Sequence, residues 1–328
     1  MSESVDWRPA CSLDALRLRA ELLGRLRAFF AERGVLEVDT PALSAAAVSD
    51  PQLASFATHF NGPDGGPRWL QTSPEFAMKR LLAAGSGCIW QLCKVFRDGE
   101  AGRRHNPEFS LLEWYRLGFD HHRLMDEVAE LVHTLLAGRR RLGDVEKLSY
   151  REAFLRHLGL DPFAIGVAEA RAACLAQGIV PPPGMPEAVL DPWLDLLLSH
   201  RIEPQLGRER LTFLYDYPPS QAALARIRVE DSPAVGSRFE LYLDGVELAN
   251  GFHELGDAAE QRARFLADNG QRRALGLTPV PLDERFLAAL AHGLPDCAGV
   301  ALGFDRLLML AQGASSLDAV LAFPQARA

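Results

Sequence analysis

At 328 residues, with 48% hydrophobic and 24% charged side chains, the chain has the composition of a soluble globular protein, which excludes the disordered and fibrous classes. A formal net charge of -8 gives no general basic footprint for nucleic acid, while leaving room for a local basic groove. Five scattered cysteines exclude a two-pair zinc site, and "MSESVDWRPACS" shows no basic-then-apolar leader, so a cytoplasmic protein without a membrane partner is expected.

Leu16, Leu22, Leu23, Leu26, Phe29 and Phe30 recur at helical spacing, which predicts an amphipathic helix from Leu13 to Arg33 stopped by Gly34. Alternation in "VLEVDTPAL" predicts a strand ended by Pro41. In "WLQTSPEFAMKRLLAAG" a short strand leads to Ser73 as helix N-cap, with Pro74 at the first helical position and Glu75 at the entrance. "CIWQLCKVFR" and "FSLLEWYRLGF" read as an antiparallel hairpin. Its connection belongs to a stretch, residues 96–116, that carries four arginines, three glutamates and a histidine. The bland reading of that stretch is a solvated loop.

From Leu124 to about Gly207 the pattern is mainly helical, broken by "PPPGMP". Strands return at "LTFLYDY" and in "RFELYLDGVELANGFHEL", where Asp244-Gly245 marks a hairpin turn. Helices over Ala258 to Leu275 and Asp283 to His292 precede "GVALGFDRLLMLAQG". Together this predicts an α+β fold on an antiparallel sheet flanked by helices. It is read as one domain, 1–328, with a helical insertion at about 124–207.

Lysine occurs only at Lys79, Lys94 and Lys147, so 32 of the 35 basic residues are arginine, a bias read as genome composition rather than as phosphate binding. If Asp244-Gly245 is a two-residue turn, Tyr242 pairs with Glu247, and Glu240 and Glu247 share one face diagonally across the ladder, about 7–8 Å apart at the backbone. Two solvated carboxylates, or a magnesium ion between them, are both compatible with that placement. Gly299, Gly303 and Arg306 form a strand-to-helix turn whose glycines would let the backbone approach a flat ligand. The alternative is a helix start with a surface Asp305-Arg306 pair.

These three segments, Arg97 with "RHNPEF" at 104–109, Glu240 with "ELANGF" at 247–252, and "GVALGFDR" at 299–306, resemble motifs 1 to 3 of the class II aminoacyl-tRNA synthetases in order and spacing from about Leu13 onward. The closest branch is the lysyl-tRNA synthetase type. The resemblance implies that Arg97 and Arg306 are the catalytic arginines, on the α- and γ-phosphates of ATP, with Glu240 and Glu247 holding Mg2+. Asp98, Gly99, His105 and Asn106 would lie along the nucleotide with Glu247, Leu248 and Gly303, and Phe109 would stack on adenine. Glu113, Tyr115 and Glu254 would take the distal amine of a lysine-like substrate, and Glu75 the other amine. Ser73, Pro74, Asn250 and Ala301 would complete that pocket. Strand parity puts Glu254 opposite Glu247, so a bulge near Gly251 is expected.

Two positions depart from the family pattern: Gly99, with Glu100 after it, replaces the usual motif 2 glutamate, and Ala301 replaces a glycine of motif 3. The first helix begins within about a dozen residues of Met1 and motif 3 lies near the end, which leaves no anticodon-binding module in this sequence. In that respect, and in "TSPEFAMKRLL" and "EWYR", it resembles the elongation factor P β-lysine ligases. This implies an AMP-forming ligase with elongation factor P rather than tRNA as acceptor, assembled as a homodimer. A truncated enzyme acting on tRNA and a catalytically silent regulatory paralogue are the rival readings.

Overall fold

A computed structural model describes residues 7–328, so the first six residues of the stretch read for an export signal lie outside the described residues. Ser12 accepts a hydrogen bond from the Ala15 amide and opens α1 (Leu13–Glu32), which buries Leu18, Leu22, Leu26, Phe29 and Phe30. Each such side chain contributes about 1.5–3 kcal/mol by leaving water. The strand expected as far as Pro41 is only β1 (Leu36–Glu37). The chain then enters a small sheet made of β2 (Leu43–Ser44), β3 (Ala57–Phe60) and β4 (Gly66–Leu70), in the order β2-β4-β3. β3 is exposed throughout and has no apolar alternation, so no strand was legible there.

After α2 (Glu75–Ala83), β5 (Ile89–Phe96) and β6 (Glu108–Leu117) pair antiparallel from Ile89 opposite Tyr115 to Phe96 opposite Glu108. The region read as helical from 124 to 207 is divided. Its first helix, α3 (His121–Leu136), buries Leu124, Val128, Leu131 and Leu135 in the main core, and β7 (Glu146–Ser149) is a strand of the main sheet. The helices α4 (Tyr150–Leu158), α5 (Val167–Ala176) and α6 (Asp191–Leu197) then form their own apolar cluster around Trp193, Phe154 and Tyr150.

β8 (Thr212–Tyr217), β9 (Ile227–Arg228), β10 (Val235–Leu243), β11 (Val246–His253), α7 (Ala258–Ala274), α8 (Glu284–Gly293), β12 (Cys297–Gly303) and α9 (Phe304–Ala311) follow. The large sheet runs β1-β5-β6-β12-β11-β10-β8-β7, with β9 beside β10. It is antiparallel except at its two edges, where β1 lies parallel to β5 and β7 to β8. One face packs on α1, α3 and α9. The other face packs Leu214, Tyr217 and Tyr242 against α4–α6 and Ile89 and Tyr115 against α2, and on that face the candidate site lies.

Asp305 links these layers. It is fully buried, accepts from the Ser110 amide at 2.7 Å, and pairs with Arg19 of α1 at 2.6 Å. The surface Asp305-Arg306 pair left open by the sequence is therefore not formed: the two side chains point to different partners.

Candidate active site

The hairpin β10/β11 sets the site's central face. Tyr242 opposes Glu247 and Leu243 opposes Val246, as the Asp244-Gly245 turn predicts, but Leu241 opposes Ala249, which leaves Leu248 as an extra residue. Val246, Leu248 and Ala249 all sit in the main core. The bulge therefore turns two successive apolar residues to the same side and restores Glu247, Asn250, Phe252 and Glu254 to the cleft face. The bulge needed to bring Glu254 round exists, but at Leu248 rather than near Gly251.

On that face Glu240 is nearly buried. It accepts from the Tyr242 hydroxyl at 2.5 Å and from Arg238, whose guanidinium also donates to Asn250 Oδ1 at 3.2 Å and to the Gln221 carbonyl. Glu247 is half-buried, and burial followed by the nearby Glu240 raises its carboxyl above the usual range. Glu203 Oε1 lies 3.3 Å from the same Tyr242 hydroxyl. Glu203 belongs to the helical segment and is pushed up to about 7 by burial and by Glu240. Glu203 and Arg238 were missed in the sequence. Arg238 stands two residues before Glu240 and so shares its face, a signal that parity could have supplied.

Arg97 follows β5. Its amide donates to the Pro107 carbonyl at 2.9 Å, its guanidinium lies 5.1 Å from the Phe109 ring centroid, and it approaches Glu100 at 3.5 Å. Its Nε is buried with no hydrogen-bond partner, as a group awaiting an anion would be. Gly99 has φ +80°, a left-handed backbone that a glutamate would strain, and the acid at the next position reaches Arg97 instead. The connecting loop itself is exposed from Ala101 to His105, as is Asp98, so its charge is not buried as a whole. Burial is confined to the strand ends. Arg306, in the first turn of α9, donates to the Glu247 carbonyl at 2.9 Å and to His105 Nε2 at 2.8 Å, which ties the loop to β11. Asn106 donates to the Glu108 carbonyl at 2.6 Å and accepts from the Gln325 amide, so the C-terminal segment braces it.

The second half of the site is acidic. Glu113 and Tyr115 share a face of β6, and the Tyr115 hydroxyl donates to Glu113 at 2.7 Å. Glu113 is buried, its Oε2 has no hydrogen-bond partner, and burial followed by the Glu75 charge raises its pKa to about 8. Glu254, at the end of β11, is raised by burial to about 7 despite the opposing pull of Lys79. Ser73 Oγ accepts from the Glu75 amide at 3.0 Å, but the N-cap of α2 is Pro74 rather than the expected Ser73, and Glu75 opens the helix on the wall of the same cleft. Lys79, one turn later, is fully buried, with Nζ 2.5 Å from Glu75 and 2.6 Å from Glu254. The sequence reading missed it. Its signal was that it is one of only three lysines in a chain whose other 32 basic residues are arginine.

Ala301 lies on β12 opposite both Glu113 and Asn250. Gly299 does not open the backbone to a flat ligand. A Cβ there would collide with the Tyr115 ring and the Glu254 carboxylate, so its bareness lets these two side chains sit together. Gly303 has no such crowding: a Cβ there would make only ordinary contact with Arg306.

Apart from Lys79 and Tyr242, these side chains line one cleft of about 1810 Å³, in which Ser73, Pro74, Leu248, Asn250, Ala301 and Gly303 also take part, while Asp98 and Gly99 do not line it. The turn from Pro182 to Pro186 closes one side, so the helical segment borders the site. The cleft thus joins an arginine-rich half, suited to phosphate, to a buried carboxylate half, suited to ammonium groups. Glu240 and Glu247 put two hard oxygen donors on one sheet face, the donor type that suits magnesium, although both Glu240 oxygens here accept from Arg238 and Tyr242 and no cluster of three or more ligand side chains occurs among the described residues.

Comparison with known proteins gives the same direction. The family model described as tRNA synthetases class II (D, K and N) matches residues 2–327. A Vibrio cholerae protein named elongation factor P--(R)-beta-lysine ligase is 53% identical over 326 residues, covering 98% of this chain and 99% of its own length. Proteins of the same name from Vibrio vulnificus and Edwardsiella ictaluri are both 51% identical, over 323 and 333 residues, covering 98% and 100% of this chain and 98% and 100% of their own lengths. No described helix is long and apolar enough to cross a membrane.

Proposed function

The chain belongs to the class II tRNA synthetases of the D, K and N group, and on that basis we propose that it activates (R)-β-lysine with ATP and transfers it to a lysine side chain of elongation factor P. It is an ATP-dependent ligase. The observation that carries the substrate reading is the pocket in which Glu75, Glu113 and Glu254 converge beside an arginine with an unpartnered Nε. A diamino acid brings two ammonium groups to those carboxylates and a carboxylate to Arg97.

In the first step a substrate carboxylate oxygen attacks the α-phosphorus of ATP. The bond to pyrophosphate breaks, and an acyl-adenylate forms. Arg97, held between Phe109 and Glu100, meets the negative charge that grows on the α-phosphoryl oxygens. Arg306, whose guanidinium donates to the Arg104 and Glu247 carbonyls and to His105, would meet the outer phosphates. Phe109 offers a face for adenine, with Asn106 and His105 along the nucleotide. Glu240 and Glu247 would hold Mg2+, which when bound neutralises phosphate charge. In the second step the acceptor amine attacks the acyl carbon, AMP leaves, and an amide remains. No side-chain nucleophile is required; catalysis rests on positioning and electrostatics.

The assembly we infer is a homodimer through α1 and β1, which leave Leu13 and Leu36 exposed at 64% and 55%. The test of the function is direct. Incubation with ATP, Mg2+, (R)-β-lysine and purified elongation factor P should raise the mass of that factor by one β-lysyl group; an unmodified factor alongside a folded, ATP-binding enzyme contradicts the proposal.

A further inference from the structure

Lys79 is neither a surface charge of an amphipathic helix nor a plain core residue. Its side chain has 0% exposure, its Nζ lies 2.5 Å from Glu75 and 2.6 Å from Glu254, and the Phe286 ring of α8 stands 5.9 Å away. Helix α2 and the end of β11 meet at this ammonium. Burial opposes its charge, but Glu254 and Glu75 together hold it charged well above the ordinary lysine range. A compact ammonium suits a gap between two carboxylates that approach from different elements; a planar guanidinium fork would spread them. That accounts for lysine here in a chain where 32 of 35 basic residues are arginine.

The charge count is also selective. When all three are ionised, Glu75, Glu113 and Glu254 carry three negative charges, and Lys79 cancels one, which leaves two for the two ammonium groups of a diamino acid. We propose that Lys79 is a positioning residue for amino-acid selection, whose ammonium locks Glu75 to Glu254 and so fixes the separation between the two amine-binding sites. The inference rests on the diamino-acid reading of the pocket given above.

The groups that face the Lys79–Glu254 pair are Glu75 from α2, Glu113 and Tyr115 from β6, and Cys297 from β12. Among these, Glu254 depends most directly on Lys79 to ionise near neutral pH. Removing the ammonium should therefore move the acidic limb of amino-acid capture to higher pH.

The test is ATP/pyrophosphate exchange across pH with (R)-β-lysine and with a diamino acid one methylene shorter, for wild type, Lys79→Met and Lys79→Arg. Lys79→Met should raise the amino-acid KM about thirtyfold or more, as loss of one partner of a buried charge pair does, with the ATP KM unchanged. Its discrimination between the two chain lengths should shrink and its acidic limb should move up. Amino-acid and ATP KM that shift together, with discrimination and pH profile as in wild type, would overturn the proposal and leave Lys79 a packing residue. Should Lys79→Met not fold, Lys79→Arg keeps the charge and changes the geometry. It is expected to fold and to alter chain-length discrimination, and an unaltered ratio there overturns the proposal equally. Wild-type protein that exchanges with neither diamino acid overturns the reading of the pocket, and this inference with it.

Discussion

Glu113 lies fully buried at the floor of the pocket, and burial followed by the charge on Glu75 raises its pKa. With folded-state pKa values raised to about 8 for Glu113 and about 7 for Glu254, both groups bind protons more tightly folded than unfolded. The stability they contribute is present below the unfolded carboxylate range and is lost as pH rises through about 7 and then about 8. We expect the Tm of the ligand-free protein to fall over that window and added (R)-β-lysine to restore it, since its ammonium groups favour the ionised carboxylates. A ligand-free Tm that climbs steadily through neutral pH contradicts the assignment. At the phosphate end, Arg97→Ala should lower pyrophosphate exchange by about 10² to 10³ with the fold intact, the usual loss for one preorganised donor. Exchange within tenfold of wild type would remove Arg97 from its role. Ala301, opposite Glu113 and Asn250, puts a methyl where the resembling synthetases carry glycine. Ala301→Gly should shift preference toward α-lysine by roughly 1–3 kcal/mol, read as the ratio of exchange rates for the two amino acids.

The single extra residue of β11 decides which side chains the site receives. Without the bulge at Leu248, Asn250 and Glu254 would face the core and Glu247 alone would face the cleft. The signal was in the sequence: Leu248 and Ala249 are adjacent apolar residues between Glu247 and Asn250, which a regular strand with one buried face does not accommodate. The neighbouring strand β12 matches this with a bare Gly299, over which Tyr115 and Glu254 close. Gly299→Ala should overpack the junction, at about 1–3 kcal/mol in denaturant unfolding, and should weaken amino-acid binding more than ATP binding. Equal stability and binding would show that the junction yields easily. Asp305 performs a comparable service for α9, fixing the helix that carries Arg306 to α1 and β6. Asp305→Ala takes the carboxylate from Arg19, which then keeps only its hydrogen bond to Ser110 Oγ, and should cost about 3–5 kcal/mol in unfolding free energy.

Over the whole molecule, the elements with strong periodicity were legible: the first helix, both long hairpins and the strand-to-helix turn at Gly303 follow from apolar spacing and turn residues. Of the small sheet only the end of β4, at Trp69 and Leu70, was legible as the short strand before Ser73; β2 and β3 were not, because exposed strands such as Ala57–Phe60 carry no alternation. β7 was hidden because four residues at a sheet edge give too short a pattern. Arg97, Arg306 and the site carboxylates other than Glu203 were found through the motifs that the chain shares with class II synthetases, whereas Arg238 was missed. Lys79 and Glu203 were missed as well, since their roles arise where α2 and the helical segment meet the sheet, contacts that no local pattern records. The dimer inferred through α1 and β1 should sediment as two chains at micromolar concentration; a monomer there contradicts it. The most direct measurement gives wild-type protein (R)-β-lysine, ATP and Mg2+ in the presence of either elongation factor P or lysine tRNA, and follows both pyrophosphate exchange and the acyl product. We expect exchange with (R)-β-lysine and acylation of the factor alone. Exchange only with α-lysine, or acylation of the tRNA in preference to the factor, would contradict the assigned function.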